Sequence, residues 1–124
     1  VNIEQTLVAY LVTVPALTAL VSSRVYPLVL PQNAALPAIA YQRISGPREH
    51  SHSGPSGLAH PRIQLACWAA TYAEAKAVAA ALRQGIDGNR TFCQACFVES
   101  DIDDYEPETK LWRVIVDAVV WHSE

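Results

Sequence analysis

Hydrophobic positions along this chain follow two periods. Ile3, Leu7, Tyr10, Leu11 and Val14 recur at helical spacing, and Asn2 with Gln5 three residues on offers a capping pair, so a first helix is predicted. Pro15 ends it and suits the first turn of a second helix in which Leu17, Leu20 and Val21 share a face. Arg24 to Tyr26 reads as a short extended piece. The prolines Pro27, Pro31 and Pro37 then exclude regular structure until a strand predicted over Ala38 to Ser45. Arg62 to Trp68 alternates, with Ile63, Leu65 and Cys67 on one face and Arg62 and Gln64 on the other, as a half-buried strand does. Thr71 and Glu74 form a capping box for the best helix in the sequence, whose Ala75, Val78, Ala79, Leu82 and Ile86 make one stripe that Gly85 or Gly88 closes. A strand is predicted over Thr91 to Glu99, then an acidic turn from Asp101 to Glu108. The last strand, Leu111 to His122, places Trp112, Val114, Val116, Ala118 and Val120 on one face and Arg113 and Asp117 on the other.

This order predicts one α+β domain over residues 1–124, an antiparallel sheet of about four strands with helices packed on one face. The interval from Gly46 to Pro61 is different. It is rich in Gly, Pro, Ser and His, and Leu58 is its single large apolar residue, so it reads as a long hairpin loop with fixed ends and a free tip. Its Arg48, Glu49, His50 and His52 are the side chains expected to make contacts there, with Tyr105 and Glu106 of the acidic turn as a second candidate contact point.

Composition sharpens the functional picture. Of the 124 residues, 51% are hydrophobic and 17% charged, so little charge is left to cover the outside, and exposed apolar patches mark contacts with other proteins. A net charge of −3 with scattered Lys and Arg does not suit sequence-specific nucleic-acid binding, which calls for a clustered basic face. The segment from Leu7 to Val21 is interrupted by Thr13, Pro15 and Thr18, and the beginning of the sequence carries Glu4 without a basic leader. The expectation is a soluble chain, with no membrane partner, made in a cytoplasm.

Candidate chemistry is sparse. Cys93 and Cys96 form a C-x-x-C, but a structural zinc site needs a second ligand pair, which Cys67 with His122, His60 or His52 would supply only through the fold. A redox pair belongs before a helix, whereas this one lies in a predicted strand. Small buried or half-buried thiols are the expectation, with no metal and no cofactor. His50 and His52, near Arg48, Glu49 and His60, lack a supporting carboxylate pattern and read as solvated or interface histidines. The acids Asp101, Asp103, Asp104, Glu106 and Glu108 lack the glycine of a calcium loop, and Pro107 breaks the spacing. Phosphate-binding, nucleophile-elbow and zinc-protease signatures do not occur, so no catalytic residue is expected.

Several stretches together resemble the tail completion (tail terminator) family of long-tailed phages, prophages and gene transfer agents. They are Arg24-Val25-Tyr26-Pro27, Leu36-Pro37 leading to Ala40-Tyr41-Gln42-Arg43, the run from Arg62 to Ala69 continuing into Thr71 to Ala75, the turn from Tyr105 to Thr109, and the strand from Trp112 to Trp121. The resemblance covers nearly the whole chain in order. It implies a sheet flanked by helices and a non-enzymatic virion protein of the tail and neck, assembled in the host cytoplasm. It also implies a homomeric sixfold ring on the tail tube protein, which stops tube growth and presents a surface to the head connector or stopper protein, with DNA free to pass through. A head-closure or adaptor protein of the same neck is the nearest alternative, and a small metal-binding module a more distant one. Residues 46–60 and the C-x-x-C are peculiar to this chain.

Changing Cys93 and Cys96 together to Ser should leave the protein folded, at a cost of at most a few kcal/mol where the thiols are buried. Metal analysis of purified protein should find less than stoichiometric zinc; one zinc per chain, with unfolding on chelation, would contradict this.

Overall fold

The structure is a computed structural model that describes residues 3–31, 35–45, 48–51, 54–88, 90, 92–93 and 95–123, with only the backbone course described for 45, 48–51, 54–59 and 123. Helix α1 spans Ile3–Leu11 and buries Ile3, Leu7 and Leu11, the positions that its period brings to one face. Helix α2, Pro15–Val21, begins with its proline in the first turn, where no backbone N–H is needed, and buries Leu17 and Val21. The two helices are bent 87° from one another, and no single helix is long and apolar enough to cross a membrane.

Strand β1 (Val25–Pro27) leads into β2 (Ala38–Ser45), then the short strands β3 (Arg48–Ser51) and β4 (Gly54–Ala59), then β5 (Arg62–Ala69). Helix α3 (Tyr72–Ile86) follows, and β6 (Ala95–Glu106) and β7 (Leu111–Ser123) close the chain. The main sheet has five strands in the order β1-β2-β5-β7-β6, and the β3-β4 hairpin joins it at the far end of β7. The mixed α+β class stands, with five main strands in place of about four. One pairing departs from the antiparallel expectation: β1 runs parallel to β2. Parallel pairing means that β2 starts again from the same end of the sheet as β1, unlike the hairpin-connected strands.

Alternation in the central strands separates two faces. Ile63, Leu65, Cys67 and Ala69 of β5 and Val114, Val116, Ala118 and Val120 of β7 are buried on one face, where they meet α3. Thr71 caps that helix, its Oγ1 accepting from the Glu74 N–H at 3.2 Å, and Ala75, Val78, Ala79, Leu82 and Ile86 are buried beneath it. The small alanines let α3 lie close on the sheet. Gly85 falls within the helix, and Gly88, at a φ of +72°, sits in the turn beyond it and donates to the Cys96 carbonyl at 2.7 Å.

Two segments differ from the sequence expectation. The acidic stretch is not a turn: β6 continues to Glu106, pairing Asp101 with Val116 and Asp103 with Val114, and only four residues turn before Leu111. Aspartates disfavour strands, but here they alternate into cationic neighbours. Asp101 lies 3.5 Å from Arg83 and Asp103 lies 3.1 Å from Lys76, both on α3, while Asp104 pairs with Arg113 on the opposite face. In the other direction, the segment from Thr91 to Gln94 precedes the strand; Thr91 and Gln94 themselves lie outside the described residues.

The second difference is the predicted loop after β2, which is a β-hairpin. Its partners Arg48↔Ala59 and Ser51↔Gly54 continue the β2-β5 hairpin, and Ala59↔His122 continues the register of Arg62↔Val119. Pro61 bridges the two ladders by accepting from the Val120 N–H at 3.0 Å. Strands β3 and β4 therefore extend the sheet as an arm past the N-terminal end of β5. Its sequence, rich in Gly, Pro, Ser and His, carries no period-two signal.

Removing the Thr71 hydroxyl by Thr71→Ala should lower unfolding stability by about 1 kcal/mol. Gly85→Ala should have the opposite sign, raising it by about 0.5–1 kcal/mol, since the added Cβ would stand 3.4 Å from Val14 Cγ1, an ordinary contact. Urea midpoints of the two variants check both signs.

Candidate assembly surfaces

The two sets of predicted contact residues stand at opposite ends of β7. Arg48, Glu49 and His50 lie in β3, on the arm beside the C-terminal end of β7, while His52 falls outside the described residues. Tyr105 and Glu106 pair with Trp112 and Leu111 at its N-terminal end. From Trp112 to His122 a strand rises roughly 33 Å at about 3.3 Å per residue, so the fold does not bring the sets together.

At the turn end, alternation along β6 sends neighbouring residues to opposite faces. Tyr105 turns to the helix side, its ring 4.6 Å from that of Trp112, which in turn lies 5.4 Å from Tyr72 at the start of α3. The Tyr72 hydroxyl donates to Asp103 at 2.6 Å, and Lys76 Nζ stands 5.6 Å over the Tyr72 ring while also donating to Asp103 at 3.1 Å. The Tyr72 hydrogen bond, and then that of Lys76, hold the Asp103 carboxyl below the usual carboxylate range, and the same carboxylate raises the Tyr72 and Lys76 values. The result is an exposed aromatic cluster fixed by a charged hydrogen-bond network, with the residue types favoured at protein contacts.

Glu106 turns to the other face. There it borders a groove of about 520 Å³ between the β6-β7 turn and the strap that follows β1, lined by Leu28, Val29, Leu30, Pro31, Leu36, Trp68, Thr109, Leu111 and Arg113. The Arg113 guanidinium lies 4.9 Å from the Trp68 ring centre, and its hydrogen bond holds the Asp104 carboxyl low. The sequence reading missed both the Tyr72–Trp112 contact and the strap. The strap did carry a signal: three consecutive aliphatic residues, Leu28, Val29 and Leu30, sit between prolines that rule out a strand or helix to bury them.

The thiols are packing groups. Cys67 and Cys96 are buried, and burial pushes both up to about 12, while Cys93 is half-buried and also raised by burial. Among the described residues no three His, Cys, Asp or Glu side chains gather as a metal would require. A thiol with a value near 12 is thiolate in roughly one molecule in ten thousand at pH 8. Titration of the native protein with an aromatic disulfide should therefore find one accessible thiol, Cys93, and the other two only after unfolding. Rapid reaction of Cys67 or Cys96 in the native state would contradict the packing.

Comparison with known proteins adds two findings. A chain in a solved structure described as "Virion of native gene transfer agent (GTA) particle" superposes with a TM-score of 0.70 at 20% identity, covering 98% of this chain and 92% of that one. No curated protein sequence matches. The family profile described as "Tail completion protein gp17" matches residues 5–123, which include all three helices but α1's first two residues and every strand. The chain belongs to the tail completion protein gp17 family and is a structural protein of the phage tail, with its place in the tail and neck of the virion.

Proposed function

We propose that this protein forms a sixfold ring that caps the tail tube, ends its growth and joins the tail to the head connector, leaving a central passage for DNA. The observation that carries this reading is the separation of the two candidate contact regions along β7. A subunit that ends a polymer needs two unlike ends, one that accepts the last tube subunit and one that offers no copy of that acceptor to the next. Here the arm of residues 48–59 occupies one end, and the aromatic cluster of Tyr72, Trp112 and Tyr105 with the strap occupies the other. A closed ring also needs side-to-side contacts between different patches of each copy, which suits a chain with so few charges. The family's structural role supplies no catalytic step, and none is proposed.

Contacts through the arm would form only in the assembled neck. Replacing residues 48–58 by a short Gly-Ser turn should leave the fold intact, since among the described residues the arm pairs with β7 only through Leu58↔Ser123 and Ala59↔His122. Electron microscopy of particles carrying that deletion should find overlong tubes or tails detached from heads, whereas intact particles should show sixfold density at the tail-side neck. Normal infectious particles from the deletion would remove the arm from the contact, and a twelvefold ring or a single copy in intact particles would overturn the ring.

A further inference from the structure

The groove between the strap and the β6-β7 turn is built on the helix-free face of the sheet. Trp68 of β5 and Arg113 of β7 are register neighbours there, and the guanidinium lies over the indole at 4.9 Å. Leu28, Val29 and Leu36 come from the strap, and Glu106 and Leu111 from the two sides of the turn, around a space of about 520 Å³. Leu28 and Val29 are 65% and 74% exposed. Leu28 is held at a φ of +64°, in the left-handed region that bulky residues avoid, and its N–H donates to the Tyr41 carbonyl at 2.7 Å. Backbone strain that keeps two aliphatic side chains in water is retained where the surroundings use it.

The two charges at this groove differ in one respect. Arg113 already pairs with Asp104, so an occupant has no need to bring an anion. Glu106 makes no ion pair among the described residues, so its carboxylate is left for a cation. Aliphatic and aromatic walls bordered by one unmatched carboxylate fit an apolar side chain that stands next to a lysine or arginine. Nucleic acid does not fit, since its phosphates would meet that carboxylate. The groove takes only a short segment, because one turn of helix, about 5.4 Å long and roughly 10–12 Å across, already fills about 500 Å³. Nor does this chain supply the occupant. Outside the groove, the exposed large apolar residues among those described are Val12, Ile44, Tyr72, Phe97, Ile102 and Tyr105. Of these only Ile44 has a lysine or arginine within two positions, and that residue, Arg43, pairs with Glu4 at 3.3 Å.

We propose that the groove docks a short segment of another tail or neck protein, in which a bulky aliphatic or aromatic residue packs on Leu28, Val29 and Trp68 while a neighbouring lysine or arginine pairs with Glu106. The proposal rests on the reading above in one respect, that the turn end of β7 meets a neighbour, and it does not depend on the ring. Apolar contact supplies the hold, and the Glu106 pair selects the partner, since a charge left unmatched in a closing interface disfavours wrong occupants.

The test uses full-length protein in assembled particles. With a benzophenone side chain at position 29, irradiation should join this chain to a different virion protein. Mass spectrometry should place the adduct in a segment where a lysine or arginine stands within two residues of a bulky apolar one. Val29→Asp and Glu106→Lys should each lower the yield of finished tails at least about tenfold. Exchanging the partner's cation for glutamate should restore most of the Glu106→Lys loss, because opposite charges then face one another again. Val29 is exposed and Glu106 makes no ion pair among the described residues, so thermal unfolding of both variants should match the parent. No adduct, an adduct between two copies of this chain, an adduct segment without a basic residue, single variants without effect, or a charge exchange that restores nothing would each overturn the contact. Sixfold density at the neck beside any of those results retires this contact alone, and a different symmetry beside the expected adduct retires the ring alone.

Discussion

The pairing of β5 with β7 is the constraint on which the rest of the molecule depends. Eight residues of β5 run antiparallel to residues 112–119 of β7 in one uninterrupted register, and that register decides which side chains share a face. A slip of one residue would send Ile63, Leu65 and Cys67 to the helix-free face and expose them. Buried leucines of this kind contribute about 2–5 kcal/mol against alanine, so the register is strongly fixed. Everything peripheral is measured from it: α3 lies on the buried face, β2 and β6 are hung on the outer edges, and the arm inherits the same register through Pro61.

Charge is used in this fold to manage an edge. β6 has no strand partner on its outer side among the described residues, and a long open edge invites uncontrolled pairing. Its aspartates are drawn onto Lys76, Arg83 and Arg113, so they guard the edge while remaining matched. Exposed ion pairs of this sort add little stability; their value lies in keeping the strand soluble and single. The consequence for recognition is that the acidic segment, though it holds five of the twelve acidic residues, presents less free charge than its composition implies. Apolar and aromatic groups are left as the groups with most to gain from a partner.

The sequence made the buried half of the protein legible and left the surface half obscure, for a physical reason. Burial imposes periodicity, and Leu7, Leu65, Leu82 and Val116 could be placed because each belongs to a stripe that only one secondary structure can bury. The pattern marks strand β2 with its observed bounds, and the cap at Thr71 is visible from its Glu74 partner. Segments that are regular without being buried leave no such trace. The pattern ends β6 before its acids because the cations that make the strand tolerable lie far away in sequence, at Lys76 and Arg83. The arm reads as a loop because its Gly, Pro, Ser and His residues carry no apolar period. The sequence puts Tyr105 and Glu106 on one turn, whereas strand alternation sends them to opposite faces, and the ring that meets Tyr105 is Trp112 of β7, which also meets Tyr72 of α3.

Similarity at 20% identity with a gene transfer agent virion chain is understandable in the same terms. A core built from alternation tolerates exchange among aliphatic residues as long as volume and pattern are kept, so the fold outlasts most of its sequence. The surfaces are under a different constraint, since each must match whatever neighbour its own particle supplies. Contact chemistry should therefore diverge faster than the strands that position it. On this view β7 is the durable part: one stiff strand that carries the arm at one end and the aromatic cluster at the other, and so fixes the spacing between the two candidate contact surfaces while leaving their side chains free to change. The proposed joint between tail and head would need that spacing more than it needs any particular residue at either end.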